Sequence, residues 1–90
     1  MIALSIQCIG KVQGVFFRVS TKSKADILNV NGWIRNEPDG SVLIHAEGSD
    51  DQVNKFLEWC RIGSQFARVD DVKIEGSNIE GFNSFEIKHS

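Results

Sequence analysis

The segment Gly10-Lys11-Val12-Gln13-Gly14-Val15-Phe16-Phe17-Arg18 holds the residue types best placed for chemistry in this chain. Glycines flanking a short loop let backbone N–H groups turn toward a common point. Apolar residues at helical spacing begin at Phe17, and a helix start adds unpaired N–H groups and the positive end of its dipole. Arg18, on the first turn, adds a planar guanidinium that matches two phosphate oxygens at once. Backbone donors plus one arginine make an anion site. A second segment, Asn31-Gly32-Trp33-Ile34-Arg35-Asn36-Glu37-Pro38-Asp39-Gly40, brings the carboxamide of Asn36 to the edge of a tight turn.

The elements that must position these groups follow from periodicity. Ile2, Leu4, Ile6 and Cys8 alternate with Ala3, Ser5 and Gln7, which predicts a strand with one buried face. Phe17, Thr21, Ala25 and Leu28 predict a helix running to about Asn29. Gly32 to Glu37 reads as a second strand and Ser41 to Glu47 as a third, joined as a hairpin through Pro38-Asp39-Gly40. Ser49-Asp50-Asp51 opens a second helix whose buried stripe is Val53, Phe56, Leu57 and Cys60, with Gly63 placed to end it. Val72 and Ile74 mark a fourth strand; Phe85 and Ile87 mark a short last one. The order is the split β-α-β-β-α-β of an α+β, ferredoxin-like sandwich, with a mostly antiparallel sheet and both helices on one face. Asn36 shares the inward parity of Ile34 and sits at its strand's end, so it is expected at the same rim of the core as Arg18.

Ninety residues suit one small domain, here residues 1–90, and are too few for two. With 41% apolar and 24% charged residues the composition is that of a folded protein, and a net charge of -2 argues against a reader of nucleic-acid backbone. No apolar run approaches the roughly 20 residues of a membrane span, and the alternating N-terminus is a strand rather than a signal peptide. No membrane partner is expected, and the default reading is a cytoplasmic monomer. Cys8 and Cys60 lack CxxC spacing and the only histidines are His45 and His89, so no metal site is expected. The two thiols are read as core residues on faces that meet, and a bond between them is left open. His45 is expected on the solvent face of the third strand, opposite Val42 and Ile44. Trp33 is read as a packing residue, and Arg35 and Arg68 as surface or loop-pinning cations.

With these elements in place, the chain resembles the acylphosphatase family nearly end to end. The resemblance rests on Gly10-x-Val12-Gln13-Gly14-Val15-x-Phe17-Arg18, on Gly32-Trp33-Ile34-Arg35-Asn36, on Asp39-Gly40-Ser41-Val42 with Gly48 beyond, on Ala67-Arg68-Val69 and on Phe85-Glu86-Ile87. It implies hydrolysis of the carboxyl–phosphate bond of small acyl phosphates to a carboxylate and inorganic phosphate, with no metal and no cofactor. It further implies that Arg18 binds the phosphate, that Asn36 orients the attacking water, and that Gln13, Gly14, Val15, Phe16, Phe17 and Arg18 form the amide cradle. The chain departs from the family pattern at Ser64-Gln65, where a proline is usual, and at Asn29 and Asn31, where small residues are usual; it has no tyrosine.

Two other classes compete. The same element order supports RNA recognition where aromatic residues stud the open sheet face. Here that face is expected to carry Ser5, Gln7, Leu43 and His45, and the acidic balance opposes it. The third reading is an anion-binding regulatory domain that keeps the cradle without turnover, as at the front of larger carbamoyl-transferring maturation proteins.

Overall fold

The structure, a computed structural model, describes residues 1–89. Its elements are β1 (Ile2–Lys11), α1 (Phe17–Leu28), β2 (Asn31–Asn36), β3 (Val42–Gly48), α2 (Asp50–Ile62), β4 (Arg68–Gly76) and β5 (Phe85–Lys88). They form one sheet of five strands in the order β4-β1-β3-β2-β5. β1 pairs antiparallel with β3 and β4, and β2 pairs antiparallel with β3. The short last strand, β5, adds to the edge of β2 in parallel. This is the α+β sandwich expected from periodicity, with one parallel pair at an edge.

The helices pack on the face that carries Ile6, Cys8, Ile34, Ile44 and Ala46, closing a core completed by Phe17, Ala25, Phe56 and Phe85. Phe56 meets Phe85 edge to face with ring centroids 5.8 Å apart. α2 begins with a full capping box: Ser49 Oγ accepts from the Gln52 N–H, and the Ser49 N–H donates back to Gln52 Oε1. Asp50 and Asp51 occupy its positive first turn. α1 ends on Asn29 in the left-handed region (φ 56°), its N–H satisfying the carbonyls of Ala25 and Asp26. Asparagine tolerates that conformation better than most side chains, which accounts for Asn29 at this cap.

Cys8 and Cys60 are both fully buried free thiols. The hydrogen bond to Cys8, reinforced by burial, pushes the Cys60 thiol well up.

His45 corrects the sequence reading. It does lie on the face away from the helices, but it is only 4% exposed. Trp33 stacks on it at 6.1 Å and 16°, and Phe82 meets its edge at 5.5 Å. Its Nε2 lies 2.7 Å from Glu47 Oε2, and the carboxylate of Glu47 also accepts from the N–H groups of Glu80, Gly81 and Phe82. The chain between β4 and β5 therefore folds over the outer face. Burial pushes the Glu47 carboxyl up, but the hydrogen bonds from Glu80, His45, Gly81 and Phe82 outweigh it and hold the group below its ordinary value. The outer face also carries Trp33, an aromatic beyond the Ser5, Gln7, Leu43 and His45 expected there. Besides His45, Trp33 is occupied by Arg35 and Lys88, whose charges lie 4.9 and 4.5 Å from its ring.

Candidate active site

β1 and β2 both run antiparallel to β3, so their C-terminal ends lie at the same edge of the sheet. On that edge Cys8, Val42 and Asn36 form one rung across the three strands. The loop leaving β1 turns there into α1, while β2 ends there on Asn36. Topology thus brings the two segments singled out in the sequence to one rim.

The loop backbone is unusual. Gly14 has φ 72° and Phe16 has φ 59°. Phe16 is bulky, and a left-handed conformation costs such a residue about 1–2 kcal/mol. It is followed at once by right-handed helix at Phe17. Adjacent left- and right-handed residues turn successive N–H groups into a concave nest suited to an anion. The start of α1 has no side-chain cap, and the N–H of Ser20 is the first to close onto the loop, bonding the Phe16 carbonyl at 3.0 Å. The donors before it point outward with the helix dipole behind them.

A cleft of about 250 Å³ opens on this nest, lined by Val12, Gly14, Phe16, Phe17, Arg18 and Val19. Among the described residues, Arg18 joins no ion pair, leaving its guanidinium free for a ligand. Phe17 anchors the loop from beneath: its ring is buried and stacks on Trp59 at 5.9 Å and 25°. Its carbonyl accepts from Thr21 Oγ1 at 2.7 Å.

Gly14, Phe16, Phe17 and Arg18 therefore share one cleft, whereas Gln13, Val15 and Asn36 do not line it. Val15 packs its side chain on the core. Gln13 turns its side chain across the rim, and Nε2 donates to the carbonyls of Glu37 and Ser41, each at 2.8 Å. Those two carbonyls belong to the turn immediately after Asn36. Gln13 is thus a latch between the loop and the hairpin, a role that loop spacing alone did not reveal. The turn is itself well made: the Ser41 hydroxyl and N–H both donate to Asp39 Oδ1, and these bonds hold the exposed Asp39 carboxyl below its usual value. Asn36 Oδ1 is buried yet has no hydrogen-bond partner in the protein. An unmatched buried carbonyl costs on the order of 1–3 kcal/mol, so it is suited to accept from a water or ligand.

The lining of this cleft offers arginine and apolar side chains but no carboxylate, imidazole or thiol. Among the described residues, the group able to share a cation is His45, Glu47 and Glu80, on the outer face of the sheet. Glu47 is already occupied there by three backbone N–H groups.

Comparison with known proteins matches this arrangement. The acylphosphatase family model covers residues 4–87. An acylphosphatase of Nocardioides is 41% identical, covering 96% of this chain and 87% of its own length. One from Acaryochloris marina is 44% identical, covering 97% and 94%. The crystal structure of acylphosphatase from Bacillus subtilis superposes with a TM-score of 0.94 at 37% identity, covering 98% of this chain and 99% of that one. A motif-bearing loop, the strand order and end-to-end similarity agree: this chain belongs to the acylphosphatase family, enzymes that hydrolyse acid anhydrides and release phosphate from small acyl phosphates.

Proposed function

We propose that residues 1–90 act as one metal-independent acylphosphatase unit in which Arg18 and the N–H groups from Gln13 to Arg18 hold the phosphoryl group and Asn36 orients water. The observation that carries the reading is the unpartnered, buried Oδ1 of Asn36 at the rim it shares with an uncapped helix start. An acyl phosphate is already activated, since its leaving group is a stable carboxylate. Phosphoryl transfer spreads negative charge over the equatorial oxygens, and catalysis is largely positioning and electrostatics. The loop donors and the guanidinium of Arg18 supply the positive field without reorganising. Asn36 Oδ1 accepts a hydrogen bond from water and aims its oxygen at phosphorus in line with the acyl oxygen. The new P–O bond forms as the bond to the acyl oxygen breaks and its electron pair leaves with the carboxylate. A carboxamide is no base near neutral pH, and no base lines the cleft, so the water's proton goes to a phosphoryl oxygen.

The test is hydrolysis of benzoyl phosphate in the presence of a chelator, for wild type, Arg18→Ala and Asn36→Ala, with inorganic phosphate as competitive inhibitor. Arg18→Ala is expected to lose about a thousandfold in kcat/KM and to bind phosphate more weakly. Asn36→Ala is expected to lose about a hundredfold in kcat while phosphate inhibition is retained. Turnover abolished by the chelator, or near-normal kcat in Asn36→Ala, overturns the reading. Phosphate binding without turnover in wild type points instead to the regulatory alternative.

A further inference from the structure

The sheet face away from the helices carries a set of groups that the phosphate cleft does not use. His45 Nε2 lies 2.7 Å from Glu47 Oε2, and Glu80 Oε2 faces the same nitrogen at 3.6 Å. Three backbone N–H groups fix the Glu47 oxygens and favour the charged carboxylate. An imidazole that donates from Nε2 to a carboxylate keeps the lone pair of Nδ1 to accept a proton. The group that meets Nδ1 is the hydroxyl of Ser77, at 3.5 Å. That distance is long for a resting hydrogen bond, but bonds between a nucleophile and its base commonly tighten once substrate is bound. Ser77 is exposed, whereas His45 and Glu47 are buried. Carboxylate, imidazole and hydroxyl thus follow one another from the interior to the surface.

Two further features sit beside that hydroxyl. A cleft of about 540 Å³ is bordered by Ser77 and Asn78, with Met1, Ile2, Leu4 and Ile79 as its apolar wall. It shares no lining residue with the phosphate cleft. The Ser77 N–H is spent on the Ala3 carbonyl at 3.0 Å, but among the described residues the N–H of Asn78 meets no acceptor. A free donor on the residue after a nucleophile is suited to hold an oxyanion. We propose that Ser77, His45 and Glu47 form a second hydrolytic site, which cleaves carboxylic esters with a short apolar acyl chain. The Ser77 oxygen attacks the ester carbonyl carbon while its proton passes to His45 Nδ1, and the Asn78 N–H steadies the oxyanion. The bond to the alcohol oxygen then breaks, and that oxygen takes the proton from Nδ1 as it leaves. Water attacks the acyl-serine in turn, giving a proton to Nδ1. The Ser77 oxygen recovers that proton as the carboxylic acid departs, and the acid ionises in solvent. Glu47 stabilises the imidazolium in both halves.

The experiment follows release of p-nitrophenolate from p-nitrophenyl butyrate and, after an acid quench, locates the acyl group by peptide mass spectrometry. The proteins are wild type, Ser77→Ala and Glu47→Gln, each first shown to be folded by circular dichroism. Wild type should turn over the ester about a hundredfold faster than Ser77→Ala and carry a butyryl group on Ser77. Saturating inorganic phosphate should leave this turnover unchanged, and Ser77→Ala should hydrolyse benzoyl phosphate as wild type does. In Glu47→Gln the imidazolium loses its charged partner, so the acid limb of the ester pH profile should move to lower pH, a change that a purely structural role of Glu47 does not produce. Ester turnover that survives Ser77→Ala, turnover blocked by phosphate, an acyl group found on a lysine or the N-terminus instead of Ser77, or a pH profile unmoved in Glu47→Gln overturns the proposal.

Discussion

Replacing Gln13 with alanine removes the two bonds that tie the cradle loop to the hairpin carrying Asn36. The stability cost can be worked from the partners left behind. The Glu37 carbonyl keeps the Gly40 N–H at 3.1 Å, and the Ser41 carbonyl keeps the Glu37 N–H at 2.9 Å. Neither is orphaned, so the loss is that of two ordinary hydrogen bonds, about 1–2 kcal/mol in all, rather than the larger penalty of buried unmatched groups. For a domain of this size that lowers Tm by roughly 4–16 °C. The catalytic cost is separate and larger. The cradle keeps its own N–H groups and Arg18, so phosphate inhibition should change by less than about threefold. The distance from Asn36 to the phosphoryl group is no longer held, and misplacement by about 1 Å costs up to a hundredfold. Gln13→Ala is therefore expected to show kcat reduced about 10–100-fold with little change in phosphate affinity, measured on benzoyl phosphate well below its Tm. Gln13→Glu cannot donate to either carbonyl and should behave no better. A variant that loses the predicted stability but retains wild-type kcat shows that the latch is structural only and refutes the argument.

Other perturbations test other parts of the structure. Gly14→Ala meets open space but must hold φ 72°, so it should lower stability by about 1 kcal/mol in urea unfolding without a change in the m-value. Gly32→Ala is a different case, because an added Cβ collides with the backbone carbonyl of His45 across the hairpin; it should unfold the domain or raise its unfolding rate sharply. Glu47→Gln keeps the shape of a buried acceptor but removes its charge. Because the folded-state Glu47 carboxyl is held below its unfolded value near 4.3, its contribution is present above that pH and lost as pH falls through the folded value. Wild type should therefore lose stability more steeply than Glu47→Gln in acid titrations, and parallel curves argue against the charge having this role. Cys8 and Cys60 should resist thiol reagents in the native protein and react with a count of two on denaturation, since both are fully buried out of the reagent's reach.

The outline of this protein is a property of its sequence because local periodicity reports which face of an element is apolar. The alternation of Ile2 to Cys8, the spacing of Phe17, Thr21 and Ala25, and the Pro38-Asp39-Gly40 turn each act within a few residues, and each element formed near where it was expected. The loop from Gly10 to Arg18 was legible for the same reason, as was the inward parity of Asn36. A period of two, however, says which side a residue takes and not what will cover that side. Parity puts His45 on the outer face but cannot show its cover, which arrives from residues 77–82, more than thirty positions away. The parallel addition of β5 to β2, the reach of Gln13 to Glu37 and Ser41, and the missing partner of Asn36 Oδ1 are likewise products of tertiary approach. Their partners are fixed by chain segments distant in sequence, and only the folded backbone sets those distances. The left-handed turn at Phe16 belongs with them: no local preference favours it, and the buried, stacked ring of Phe17 beside it holds the loop in place.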